Sequence, residues 1–471
     1  MTLKRDLAWK HLDLVNRSSV AYQYARYALG LSYELLPEEV ANQAKRCLLD
    51  ALGCAIGAHF APGRSMYEAM VKELGGVEEA TVIGSGLRTS AANATLVNSF
   101  LVRFLDYNDF GGGGHNSDSI PAIIAIAERE KSHGRDFLTS LVISYELGAS
   151  FSGGMRREEG IGMPGFMSDI RGGLSMPPTL GRLMRLNEDQ IANAIGICVS
   201  HSLPLGVLDA DREENSMSKN MRFGFVAYDA ILSCLLARQG FTGPVRVVEG
   251  QNGLSQAIYQ GAMNVEQMVD FTGWHIMDVI FKPLCASLGI IGSVTATLAV
   301  VIENDIKYDD IEKVQIKLGL HNVYHHTTAA KKYPRNAESA DHSAYYANAI
   351  AIKERKFGPD LFEARYFTDP VVLDLIDRMS VEVDPDIPSW DIAAKSIITT
   401  KDGRRFEKYA DKPHGTGKDP LTDEELEYKF TEMAVKYMGK QQIKKIFDAV
   451  WNLEKVADMN QLTRLLVFPS R

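Results

Sequence analysis

The chain has 471 residues, is 45% apolar, and sets 51 Lys plus Arg against 60 Asp plus Glu for a formal charge of −9. That length supports two or more domains, and the acidic balance argues against general binding to nucleic acid or to an anionic membrane. Five scattered cysteines without a CxxC pair disfavour a disulfide scaffold, a zinc ribbon and a cysteine-ligated cluster, and point to a reducing compartment.

The N-terminal stretch MTLKRDLAWKHLDLVNR alternates charged and apolar residues and lacks a signal-peptide core. A helix is expected in PEEVANQAKRCLLDALGCAIGAHF (37–60), which repeats apolar residues at helical spacing behind a proline and two acids. SAANATLVNSFLVRFLD (90–106) is apolar on a broad face, so it reads as a buried helix that delivers Asp106 at its end. Four glycines, Gly111–Gly114, then separate Asp106 and Asp109 from His115. SIPAIIAIAERE (119–130) starts another helix, with Pro121 in its first turn and Asp118 or Ser119 as its cap. The helical pattern continues to about residue 270.

The middle of the chain differs. IEKVQIKLGL (311–320) alternates like a strand, MSVEVDP (379–385) reads as a second one, and AAKSIITTKDGRRFEKYA (393–410) as a hairpin turning at Asp402-Gly403. The most apolar run, LGIIGSVTATLAVVI (288–302), is too short to span a bilayer comfortably. From residue 419 the helical pattern returns, with Thr422 as a capping candidate. The expected fold is mainly α: a large all-helical domain over 1–277, an inserted α+β lid domain over 278–415, and C-terminal helices over 416–471 that rejoin the helical domain.

Neither IGSGLRTS (83–90) nor GTGKDP (415–420) has the spacing of a nucleotide-binding loop, so both read as turns. If Asp106 ends one helix and His115 precedes the next, both face one cleft, where imidazole suits proton transfer near neutrality. Spacing alone favours the plainer reading, an Asx-rich loop whose polar groups cap helix ends. Lys219, with Arg222 close behind it, and Lys282 are candidate cations for an anionic ligand, or ordinary snorkelling lysines. His342, Tyr345 and Tyr346 lie in ADHSAYYANAIA, where core packing is the plain alternative. His325 and His326 are adjacent; on a strand they would face opposite ways, which disfavours one metal taking both.

Taken together, these segments resemble the MmgE/PrpD family, whose named members include 2-methylcitrate dehydratases. The segment ending FLDYND is similar to the family's LDFND motif, and GHNSDSI (114–120) to its GHPSDNL. SKNMRFG, FKPLCAS, ADHSAYYANAIAI and HGTGKDPLTDEELEYKF resemble further family segments in the same order. The resemblance implies a homodimer, catalysis with no metal or cofactor, and Asp106, His115, Lys219, Lys282 and Tyr346 as catalytic residues. Arg103, Asp109, Phe110, Met167, Arg222 and His342 fall around them as substrate-binding candidates. Arg103 is more like the dehydratase branch, and Met167 stands where decarboxylase-like members carry a histidine. The implied activity is that of a cytoplasmic hydro-lyase on a hydroxy di- or tricarboxylate. The alternatives are decarboxylation or epimerisation on the same scaffold, or a silent carboxylate-binding paralogue. The glycines in place of bulkier family residues imply a substrate larger than 2-methylcitrate or shaped differently.

Overall fold

A computed structural model of the chain describes residues 2–155, 165–417 and 419–468; Met1 and Lys418, from the quoted N-terminal and Gly-rich stretches, lie outside them. The described residues fold around two apolar cores. One gathers side chains from Val20 to Phe281 and again from Leu421 to Phe468; the other is drawn from Cys285 to Ile398. The chain therefore leaves the helical body after Phe281 and returns to it at Leu421.

The first core is made of helices whose ends were set locally. Ser90 accepts the N–H of Asn93 and starts the Ala91–Phe104 helix, every residue of which is buried. Its broad apolar surface is covered by the Glu38–Gly57, Ile120–Arg129 and Arg222–Arg238 helices. Pro121 does sit in the first turn of the Ile120–Arg129 helix, but neither Asp118 nor Ser119 caps it. A 3₁₀ turn, Asn116–Ser119, runs straight into that helix, and the Ser119 hydroxyl donates to the Asn116 carbonyl at 2.6 Å. The turn itself occupies backbone groups that a cap would have served.

Two short strands, β1 (Ala80–Thr81) and β2 (Arg88–Thr89), pair antiparallel in the helical body. The second body holds a sheet of order β4-β3-β5-β6, made of β3 (Ile311–Leu318), β4 (Met379–Val383), β5 (Ala394–Thr400) and β6 (Arg405–Ala410). β3 and β4 run parallel, and the other pairs antiparallel. Ile311, Val314, Ile316 and Leu318 point from β3 into the second core, the alternation expected of a half-buried strand. The β5–β6 hairpin turns through Asp402 and Gly403, the latter at φ +83°. The Leu288–Glu303 helix packs on β5 and β6 and against the Ala344–Glu354 helix. After the return crossing, Thr422 and Glu425 form a reciprocal capping box that starts the Asp423–Ala434 helix.

That helix also ties the crossings together. Buried Lys429 donates to Asp50 Oδ1 at 2.6 Å and to the carbonyls of Tyr107 at 2.8 Å and Lys282 at 3.0 Å. One ammonium thus fixes the residue after Asp106 and the backbone of Lys282. Among the described residues, no helix is long and apolar enough to cross a membrane.

Candidate active site

A cavity of about 340 Å³ lies at the seam of the two bodies. On the helical side it begins where the Ala91–Phe104 helix stops. Asp106 takes a left-handed backbone, φ +46°, which strains a residue with a Cβ and turns the chain out of the helix. Its carboxylate accepts from Arg103, one turn back, and faces Lys282 Nζ at 3.1 Å. Lys282 also donates to the Asp106 carbonyl at 2.8 Å and the Ala286 carbonyl at 3.1 Å. It is brought there by a two-way backbone bridge between Phe110 and Ile280, 3.0 Å in each direction.

The four glycines form a tight turn. Gly111 and Gly114 exchange backbone hydrogen bonds, with Gly112 at φ +54° and Gly113 at φ +84° between them. Positive φ at both central positions is the preserve of glycine. A Cβ on Gly113 would lie 2.5 Å from Ser152 Oγ, and one on Gly114 would lie 2.6 Å from the Arg171 guanidinium. The glycines therefore admit neighbours at close quarters: Arg171 occupies the space beside Gly114. The turn returns the chain so that His115 Nε2 stands 3.6 Å from Asp106 Oδ1. His115 Nδ1 lies 2.6 Å from the Asp109 carbonyl, an acceptor only, so Nδ1 carries the hydrogen and Nε2 the bare lone pair. Arg171 donates to the His115 carbonyl at 2.8 Å and fixes the turn from behind.

The electrostatics follow from burial and pairing. Burial opposes charge on Asp106, but Lys282 and Arg103 outweigh it and hold the carboxyl well below its ordinary range. Burial, then Arg103 and Lys282, push His115 well below the ordinary imidazole value, so it is a neutral base. Lys282 is itself lowered by burial, with Asp106 opposing the shift.

Toward the α+β body the charges are paired. Arg222 Nη1 donates to Asp209 at 2.7 Å and its Nε faces Asp169 at 3.0 Å. Lys219 Nζ lies 2.7 Å from both oxygens of Asp341 and 3.0 Å from His342 Nδ1. Asp106, Asp341 and His342 bring one potential metal-ligand atom each within 4.8 Å of one another. Both carboxylates already face cations, so the trio is an ion-pair cluster rather than a vacant cation site. A larger cavity, about 530 Å³, opens behind Tyr107 and Pro283, but its Lys356 is paired with Asp360 and its Lys429 is consumed by the crossings.

The description of the MmgE/PrpD N-terminal domain matches residues 22–266, and that of the C-terminal domain matches residues 285–453. The chain belongs to the MmgE/PrpD family. Among relatives of this MmgE/PrpD protein, a cis-aconitate decarboxylase of Homo sapiens is 25% identical across 96% of this chain and 95% of its own. A cis-aconitate decarboxylase-like protein, oryM, of Aspergillus oryzae is 22% identical across 96% of this chain and 98% of its own. A 2-methylcitrate dehydratase of Cupriavidus necator is 24% identical, over 49% of each chain.

The structure brings Arg103, Asp106, Phe110, His115, Arg222, Lys282 and His342 of this MmgE/PrpD protein to the cavity wall. Four other residues expected at the site lie elsewhere. Lys219 is fully buried behind His342, with its ammonium spent on Asp341 and the Glu338 carbonyl. The Tyr346 hydroxyl donates to the Leu361 carbonyl inside the second core, beside Phe362 and Phe367. Asp109 accepts from Ser117 through one oxygen and from Tyr145 at 2.6 Å through the other, so its carboxyl braces the turn. Met167 lies beside the cavity-lining Ser168, its N–H bonded to the Pro204 carbonyl at 2.9 Å.

The sequence reading missed Arg171, Asp209, Trp390 and the histidines of HNVYHH as wall residues. The segment treated as a strand is the helix Leu320–His326, so His321 and His325 sit one turn apart and share a face. The four-residue spacing of those histidines was the available signal.

Proposed function

We propose that this protein is a lyase that decarboxylates a small tricarboxylate of the cis-aconitate type with its own side chains. The observation that carries this reading is the Asp106 carboxylate in the wall of a cation-lined cavity, set between Arg103 and Lys282. Arg103, Arg171, Arg222 and Lys282 line that cavity, so a bound polyanion meets guanidinium and ammonium groups there. A substrate carboxylate drawn against Asp106 is repelled there, and the repulsion disappears as it departs as neutral carbon dioxide. Such an interaction favours the transition state over the ground state. The remaining cations neutralise the charge left on the carbon skeleton.

Two further observations support decarboxylation. The relatives matched over nearly their whole length are named decarboxylases, whereas the dehydratase match covers half. The Tyr346 hydroxyl, the acid a departing hydroxide would need, is engaged in the second core. A second reading, the hydro-lyase, is favoured by the bare Nε2 of neutral His115, which suits removal of a proton next to a carboxylate.

The test is incubation of the pure protein with a panel of tricarboxylates, before and after chelation. Carbon dioxide and the ultraviolet absorbance of a new double bond are followed together. Carbon dioxide release, unchanged by chelator, is expected. Absorbance growth without carbon dioxide would replace this reading with the hydro-lyase, and silence across the panel would discard both.

A further inference from the structure

With Tyr346 facing the second core, the cavity lacks the proton donor expected of it, and the α+β wall offers a replacement. His325 lies on the Leu320–His326 helix and lines the same cavity as His115. Its Nδ1 contacts the carboxylate of Asp211, which belongs to the loop preceding Lys219 in the helical body. Asp211 is held below its ordinary value against the pull of burial, first by its hydrogen bond from His325, so it is the anionic acceptor of that pair. The Asp211 backbone is anchored in turn, since its carbonyl accepts from Thr328 Oγ1 at 2.6 Å. A carboxylate on Nδ1 fixes the ring and its tautomer, and leaves Nε2 as the atom that exchanges protons. The pair is reachable, with His325 22% and Asp211 27% exposed.

We propose that His325 is the catalytic proton donor of this site and that Asp211 is its positioning residue, set across the seam from His115. The assignment rests on the decarboxylase reading above. The bond from carbon to the departing carboxylate breaks, its electron pair stays on the carbon skeleton, and carbon dioxide leaves. The Nε2–H of His325 then protonates that carbanion, and one solvent proton restores the ring, so each turnover consumes one proton. The groups that face His325 are Asp211 from the helical body, His321 on its own helix, and His326 and His342 beside it. Burial, followed by neighbouring His325 and His342, keeps His326 well below the usual imidazole value, so it does not compete as the acid. His326 is also held by the His342 carbonyl on Nδ1 at 3.1 Å.

The experiment compares wild type, His325→Gln, Asp211→Asn and His325→Ala by carbon dioxide release over a pH series, with melting curves for each. For His325→Gln, kcat should fall by about 10²-fold or more while the fold is kept, the scale of a lost general acid. The pH profile of kcat should change in that variant, and Asp211→Asn should also change it with KM little altered. Added imidazole should restore part of the turnover of His325→Ala, a response that a purely structural contact does not give. An active wild type whose His325→Gln variant keeps kcat within about threefold and the same pH profile overturns this assignment alone. A wild type that releases no carbon dioxide removes the parent reading, and this one with it.

Discussion

The two walls of the cavity are built on opposite electrostatic plans. The helical wall uses permanent charge: Arg103, Arg171, Arg222 and Lys282 around Asp106, on helix ends and a turn that neighbouring backbone holds still. The α+β wall presents imidazoles and an indole: His321, His325, His326, His342 and Trp390. Permanent charges fix and polarise a polyanion but cannot exchange protons near neutrality; imidazoles can. The division repeats at short range in two aspartates three residues apart. Asp106, between Arg103 and Lys282, is held well below its ordinary range, whereas Asp109, which meets hydroxyls and a backbone N–H, is pushed by burial up to about 7. Neighbours, not residue type, decide the charge.

His115 stands on the helical wall with Nε2 3.6 Å from Asp106 Oδ1, and its removal should have the largest effect. His115→Ala is expected to lower kcat by about 10²–10⁴-fold with the circular dichroism spectrum unchanged. Near-normal turnover would move the chemistry off that wall. Next comes Lys282→Met, which strands a buried carboxylate with one partner fewer. Urea unfolding should report a loss of about 3–5 kcal/mol, and adding Asp106→Asn should recover part of it. A wild-type stability in Lys282→Met would mean that the ammonium contributes nothing to holding Asp106.

The aspartate pair gives a subtler test, because the two have opposite signs. Asp109 holds its proton in the native state up to about 7, while the unfolded chain releases it near about 4. The stability it contributes is full below the unfolded value and is lost as pH rises through the folded one. Asp106, with its native value depressed, contributes stability that is present above about 4 and lost as pH falls. Urea midpoints from pH 5 to 8 should therefore decline less steeply in Asp109→Asn than in wild type; parallel curves would contradict the raised value. The smallest effect belongs to Tyr346→Phe, which removes one buried hydrogen bond. It should cost about 1 kcal/mol and leave kcat within about twofold. A large fall in kcat would show that the hydroxyl reaches the substrate after all.

Much of the fold was legible locally. Thr422 announces a helix start, alternation announces β3, and Asp402-Gly403 announces the hairpin. The site was legible in part. Resemblance singled out Asp106, His115 and Lys282, but it equally singled out Lys219 and Tyr346, which point elsewhere. A tyrosine in a small, apolar helix reads alike whether its tip meets a ligand or a carbonyl such as that of Leu361. HNVYHH was misjudged because a short segment after a strand looks like more strand until the chain is seen to coil.

By itself the sequence determined the mainly helical class, the strands of the second body, the family, and the presence of carboxylates and an imidazole around a glycine turn. Those are properties of spacing and residue type, which act over a few neighbours. Only the tertiary structure decided which groups carry charge and which meet. Burial, the Phe110–Ile280 bridge and the Lys429 clamp come from residues far apart in the chain, and protonation depends on the contacts they impose.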